Sequence, residues 1–275
     1  MSSHRWTVIG TVSLVLVAGC GRKSPPAAGA NAVTITATDF AFAAPDTIPA
    51  GLTTLRMVNG GKEPHHVVLI GIPAGMTRAA VDSAMRTPGP PAAWMSFGAS
   101  PIAALPGDST NATSMLESGH YLMVCFIESA DRMPHVAKGM TRWLEVVGTA
   151  AAAAEPQADV VITLTDYSFQ LSTPLTAGAH TIRVENAGAQ MHEVGIERLA
   201  EGKSLADYMA WGQGGMQGPP PVTPAGGVIG PDVGKHGYFT VSLTPGKYLL
   251  TCYVPDKQDG RPHVMHGMVQ EITVS

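Results

Sequence analysis

Two quartets of side chains dominate the chemistry this sequence could perform. In chain order the first is His65, Cys125, His135 and Met140, and the second is His192, Cys252, His263 and Met268. Two imidazoles, one thiolate and one weak thioether form the donor set of a blue-copper electron-transfer centre, in which sulfur suits Cu(I) and imidazole suits Cu(II). Each second histidine precedes its methionine by five positions, across Gly139 or Gly267. Taken singly these residues say less. A buried cysteine is usually a small hydrophobe, and a loop methionine usually fills space. The order of the four favours the metal reading, and the second copy is not independent support, because duplication copies a structural cysteine as readily as a ligand.

The quartets occur twice because the chain is a tandem duplication. Shifted by 127 positions, residues 33–65 match residues 160–192 with 13 identities in 33 positions, among them Asp39/Asp166, Asn59/Asn186, Gly61/Gly188 and His65/His192. The same shift aligns residues 119–125 with 246–252, and one residue more aligns Pro134-His135-Val136 with Pro262-His263-Val264. A long period present twice means two domains and not a solenoid. The elements that must position the quartets read as strands. Residues 33–38 and 160–165 are β-branched runs; residues 53–58, 66–70, 121–127 and 143–147 follow, with counterparts in the second copy. One helix is expected per copy, from Thr77 to about Arg86 with a stop at Pro88-Gly89-Pro90-Pro91, and from Ser204 to about Trp211. The expected fold is all-β: two tandem Greek-key β-sandwiches, each with a short helical insertion. Expected boundaries are 32–148 and 159–275 for the domains and 149–158 for an Ala-rich linker.

Pro64-His65-His66-Val67-Val68, residues 121–125 and residues 134–140 resemble the cupredoxin (plastocyanin- and azurin-like) pattern, and the resemblance extends over both copies. It implies that His65, Cys125, His135 and Met140 hold one copper, and that His192, Cys252, His263 and Met268 hold a second. It also implies that His66 supports the first site without ligating. One spacing departs from the family. The cysteine and second histidine are 10 residues apart in the first copy and 11 in the second, where the family usually has a few. The excess, residues 128–132 and 255–260, reads as a polar turn inserted in the ligand loop. The second histidine is expected at one end of each sandwich with a ring edge near the surface. Around it would lie Met133, Pro134 and Val136, or Pro262, Val264 and Met265. His266 falls where Lys138 sits and is not taken as a ligand, while His120, His180 and His236 read as surface residues.

The 275 residues carry a net charge of −4, so no basic field suits nucleic acid. An eleven-residue apolar run from Val8 to Ala18 follows Arg5, shorter than the roughly 20 residues that span a bilayer. Leu16-Val17-Ala18-Gly19-Cys20 resembles a bacterial lipobox. Residues 1–20 are therefore expected to be a lipoprotein signal peptide ending at lipidated Cys20, and 21–31 a tether. The chain is then extracytoplasmic and lipid-anchored to a bacterial membrane, on its periplasmic or cell-surface side. The ten histidines include no His-x-His pair and none beside Cys125 or Cys252. Oxidase and nitrite reductase constellations are thus missing, and the chain reads as a non-enzyme. The expected function is single-electron transfer with one copper per domain, in exchange with an unidentified redox protein or a copper donor or acceptor. Copper delivery or sequestration, and a metal-free binding module, are the competing readings.

Overall fold

The computed structural model describes residues 29–87 and 91–275. The signal peptide, Cys20 and most of the tether lie outside the described residues, as do Pro88, Gly89 and Pro90 of the expected helix stop.

The second copy shows the sandwich most plainly. Burial alternates along Val160–Thr165, with Val160, Ile162 and Leu164 turned inward, as a strand covered on one face requires. That strand runs parallel to Gly178–Asn186, which pairs antiparallel with His236–Leu243. The facing layer runs Val269–Val274, Gly246–Thr251, Val194–Leu199, Val222–Ile229. In the first copy Asn31–Thr38 lies parallel to Thr47–Asn59, itself antiparallel to Ser109–Leu116. Here the long strand Thr47–Asn59 changes layer. Its first residues pair with Thr141–Ala151, and the register shifts between Pro49 and Gly51, where Gly51 takes φ +132°. A β-bulge at glycine supplies such a corner. From Thr141–Ala151 the facing layer continues through Gly119–Val124 and Val68–Ile72 to Ser96–Phe97.

Both expected helices form. Thr77 caps Arg78–Arg86 by accepting from the Ala80 amide at 3.2 Å, and Ser204 with Asp207 forms a capping box on Leu205–Gln213. The two copies abut. Tyr238 pairs with Thr113, while Val228 and Ile229 pair with Pro101 and Ser100. Asn111 clamps Thr240: its Nδ2 donates to the Thr240 carbonyl (3.1 Å), and its Oδ1 accepts from the Thr240 amide (3.0 Å) and hydroxyl (3.2 Å). The Ala-rich stretch between the copies is also tied down. Glu155 accepts from His236 (2.7 Å), Tyr238 (2.7 Å) and Arg183 (3.0 Å). Among the described residues no helix is long and apolar enough to cross a membrane.

Candidate metal centres

The first histidine of each quartet sits just ahead of a strand and not at its start. The strand begins at Val68, and His65 is held by a two-way backbone bridge to Ala104, at 3.2 and 2.9 Å. Asn59 locks the turn that leads there. Its Nδ2 donates to the carbonyls of Glu63 and Ala104, and its Oδ1 accepts from the Gly61 amide. Asn186 does the same with Gln190, Pro231 and Gly188, which gives the Asn-x-Gly of both copies a structural reason.

The long ligand loop returns its histidine to the cysteine. Glu128 bridges Pro134 across the inserted turn, the His135 amide donates to Ile127 (2.8 Å), and the Val136 amide donates to Cys125 (2.8 Å). A 3-10 turn, His135–Lys138, then ends at Gly139 with φ +96°, a left-handed stop that glycine adopts without strain. The Met140 amide donates to His135 (2.9 Å), and its carbonyl accepts from the Cys125 amide (3.3 Å). Pro255, Pro262, Gly267 and Met268 repeat the closure in the second copy.

The result is two buried triangles of donors. One donor atom from each of His65, Cys125 and His135 lies within 4.8 Å of the others, and His192, Cys252 and His263 do the same; all six residues are fully buried. His65 Nδ1 stands 3.1 Å from His135 Nδ1, which is 3.4 Å from Cys125 Sγ. In the second copy the Nδ1 atoms of His192 and His263 are 3.0 Å apart, with Cys252 Sγ 4.0 and 3.3 Å from them. Met140 and Met268 are fully buried and join these triangles through the backbone bonds above.

The rings are oriented from behind. His65 Nε2 faces Asp39 Oδ1 at 3.2 Å, His135 Nε2 faces Glu63 Oε2 at 2.9 Å, and His192 Nε2 faces Asp166 Oδ1 at 2.8 Å. An ionised carboxylate only accepts, so the ring proton sits on Nε2 and each Nδ1 turns a lone pair inward. Burial pushes the pKa of His65 and of His192 down, against the pull of Asp39 and Asp166, and pushes His263 down to about 4. It pushes the Cys125 thiol up to about 11 and the Cys252 thiol well above its ordinary value. Facing lone pairs of neutral imidazoles repel, and a desolvated thiol resists ionising. A soft cation relieves both, since it takes the lone pairs and stabilises the thiolate. The donor set therefore fits such a cation.

The supports of the two centres differ by an exchange. Glu63 accepts from the Ser129 hydroxyl (2.7 Å), which with His135 lowers its pKa. The equivalent positions in the second copy are Gln190 and Asp256. There the carboxylate belongs to the ligand loop, and Gln190 Nε2 donates to it at 2.8 Å. The Tyr167 hydroxyl (2.6 Å) and Gln190 hold the Asp256 carboxyl well below the usual carboxylate range. From its new place Asp256 Oδ2 is 3.6 Å from His263 Nε2, which has no hydrogen-bond partner among the described residues. Phe40 and Tyr167 stand edge-on to the second histidines at 5.2 and 5.5 Å, each at φ of about +65°. Both occupy the two-residue turn of a hairpin, where a positive φ, uncommon for an aromatic residue, is accommodated.

Several expectations need correction. The second histidines do not reach the surface: Glu63 and Asp256 cap their outer edges, and both rings are fully buried. Val264 is buried too, packed with Leu199, Tyr208 and Val222, so the second collar keeps only half-buried Pro262 and Met265, whereas the first has half-buried Val136 and exposed Met133. His180 is buried between Asp159 and the Thr176 carbonyl and is not a surface residue, whereas His236 stays partly exposed beside Glu155. His266 faces Asp259 at 3.2 Å. His66 Nε2 accepts from the Phe126 amide (2.8 Å), and burial pushes its pKa down to about 3. The supporting carboxylates were missed, although Asp39 and Asp166 stood out as identities of the repeat.

No family model matches the chain, and no curated protein does. Solved structures do match. Reduced auracyanin from the photosynthetic bacterium Roseiflexus castenholzii is 23% identical over 44% of this chain and 100% of its own, with a TM-score of 0.32. A multicopper oxidase is 16% identical over 89% of this chain and 88% of its own, with a TM-score of 0.26. A Cu-containing nitrite reductase from Thermus scotoductus is 10% identical over 89% and 61%, with a TM-score of 0.23. The likeness is one of fold alone. It also overturns the expectation of a non-enzyme. Structures matching most of the chain include an oxidase and a reductase. The histidine inventory of one chain was too narrow a ground for the exclusion.

Proposed function

We propose that the chain binds copper at two centres and transfers single electrons. His65, Cys125, His135 and Met140 would hold one ion, and His192, Cys252, His263 and Met268 the other. The observation that carries this reading is the pair of buried imidazole–imidazole–thiol triangles, whose converging ring nitrogens and desolvated sulfur call for a soft cation. Copper, when bound, supplies a one-electron couple. The protein's part is to present the donors already assembled: Asp39, Glu63 and Asp166 fix ring tautomers, and the closed ligand loop fixes cysteine against histidine. Supports of this kind keep the donors in one arrangement through a change of charge.

The setting proposed with it is extracytoplasmic, with domains at 32–148 and 159–275, a lipid anchor at Cys20 and a redox protein as partner. Copper titration of the purified protein tests the reading. Cys125→Ser and Cys252→Ser should each abolish the visible thiolate-to-Cu(II) band of one centre and leave the other's. A double variant that keeps the whole spectrum would remove the cysteines as ligands. Bound copper that cannot be reversibly reduced would favour delivery over transfer.

A further inference from the structure

Between the two copies lies a cavity of about 950 Å³, a size that accepts a small organic molecule. One wall includes Ile102, Ala103 and Phe126; the other includes Glu193, Glu197 and Thr251. Most of the lining is apolar, and among the described residues no Lys or Arg reaches it. No donor of either quartet lines it, although Glu193, Thr251 and Tyr253 adjoin His192 and Cys252 in the chain.

The acidic wall is built by one strand. Side chains alternate along Val194–Leu199 and the residue before it, so Glu193, Gly195 and Glu197 share a face. The extra residue of the β-bulge opposite Ile196 and Glu197 belongs to the partner strand Val222–Ile229, so Glu197 keeps its place in the alternation. Glu193 accepts from the Tyr253 amide at 2.8 Å. Two shielded atoms of the wall, Glu197 Oε2 and Thr251 Oγ1, have no hydrogen-bond partner among the described residues. Thr251 is fully buried, and a Cβ on Gly195 would come within 2.8 Å of its hydroxyl, so the glycine leaves that hydroxyl its room.

The repeat supplies an internal comparison. The first-copy counterparts of Gly195, Glu197 and Thr251 are Val68, Ile70 and Val124, all buried and apolar. At one place the second copy therefore has a gap, an acid and a hydroxyl where the first has core. Among the described residues no Lys or Arg of the walls offsets Glu197. Burial pushes its carboxyl up to about 7, against the pull of the Tyr253 hydroxyl. An anion entering here meets like charge, whereas a cation meets its complement and the unused hydroxyl.

We propose that this cavity binds a small apolar ammonium cation, its N–H groups directed at Glu197 and Thr251 and its hydrocarbon body lying against Ile102 and Phe126. Three probes of one shape test it: 1-naphthylmethylammonium, 1-naphthalenemethanol and 1-naphthoate, titrated calorimetrically into the protein at about pH 8, where an alkylammonium is still charged. The ammonium should bind at least about tenfold more tightly than the alcohol, because its hydrogen bonds are charge-assisted, and the carboxylate should bind weakest. Glu197→Gln should erase the preference for the ammonium and leave the alcohol unchanged. Ala103→Trp, which fills the cavity from the other wall, should weaken both. Equal binding of alcohol and ammonium overturns the proposal, as does a preference that survives Glu197→Gln, or no binding by any probe. The comparison of probes on the unaltered protein decides even where a variant folds poorly.

Discussion

Gly61→Ala should damage the first metal centre although the side chain it adds is one methyl. A Cβ on Gly61 would stand 2.4 Å from Asp39 Oδ1 and 2.6 Å from His65 Nε2, driven into the 3.2 Å bond between them. Ordinary contact begins near 3.4 Å, so one partner must retreat by about 1 Å. His65 is fully buried, whereas the Asp39 side chain is 31% exposed and has somewhere to go. The bond breaks, and Nε2 is left buried without an acceptor. An orphaned buried donor costs about 1–3 kcal/mol, and the release of Asp39 to water puts the net loss near 2 kcal/mol. At about 2–4 °C per kcal/mol for a chain of this size, the midpoint should fall by about 4–8 °C. Freeing the ring should weaken copper binding by about 10- to 100-fold. Gly60→Ala is the control, since its Cβ meets nothing closer than 3.7 Å. Calorimetric melting and a competition titration against a chelator read both effects. Should the two variants melt together and bind copper alike, the Asp39–His65 contact does not hold the site.

Three further outcomes are expected. Asn111→Ala removes three bonds to Thr240 and should cost about 1–2 kcal/mol in urea unfolding; an unmoved midpoint means the copies do not meet there. The Tyr238 hydroxyl, followed by His236, holds the Glu155 carboxyl down to about 2, against an unfolded value near 4.3. The stability it gives is thus complete above the unfolded value and lost as pH falls through the folded one. Glu155→Gln should flatten the acid limb of stability, and identical limbs for variant and parent would refute the anchor. Val136→Glu, beside exposed Met133, should slow electron exchange with a redox partner at unchanged copper content. An unchanged rate places the exchange on another face.

What the sequence made legible is what short range decides. Strand alternation at Val160, Ile162 and Leu164 follows from side-chain period, and Thr77 and Ser204 announce helices through bonds three residues away. The quartets were visible as types in order. Their meeting was not, because a spacing of 10 or 11 residues says nothing of the bridge from Glu128 to Pro134 that folds the excess away. Val264 looked like a surface residue because it adjoins a ligand-like histidine, but Tyr208 of the inserted helix packs over it. Contacts across long separations stayed hidden: Glu63 with His135, and Asn111 with Thr240.

The exchange of Glu63 and Ser129 for Gln190 and Asp256 shows why the two centres are not duplicates in chemistry. A carboxylate on Nε2–H raises the basicity of the opposite ring nitrogen. In the first copy both imidazoles have one, at 3.2 and 2.9 Å. In the second only His192 does, at 2.8 Å, while His263 faces its acid from 3.6 Å with Nε2 unpartnered among the described residues. His263 is thus the weaker donor of its pair, whereas His65 and His135 are matched. The acid was not lost but transferred to the ligand loop, where Tyr167 and Gln190 occupy it. The same copy carries the gap, the acid and the hydroxyl that open the cavity between the domains. Each change falls on a face that duplication alone would have kept identical. These changes lie where the second copy meets its histidine and its neighbour, while the backbone bonds that close the ligand loop are the same in both.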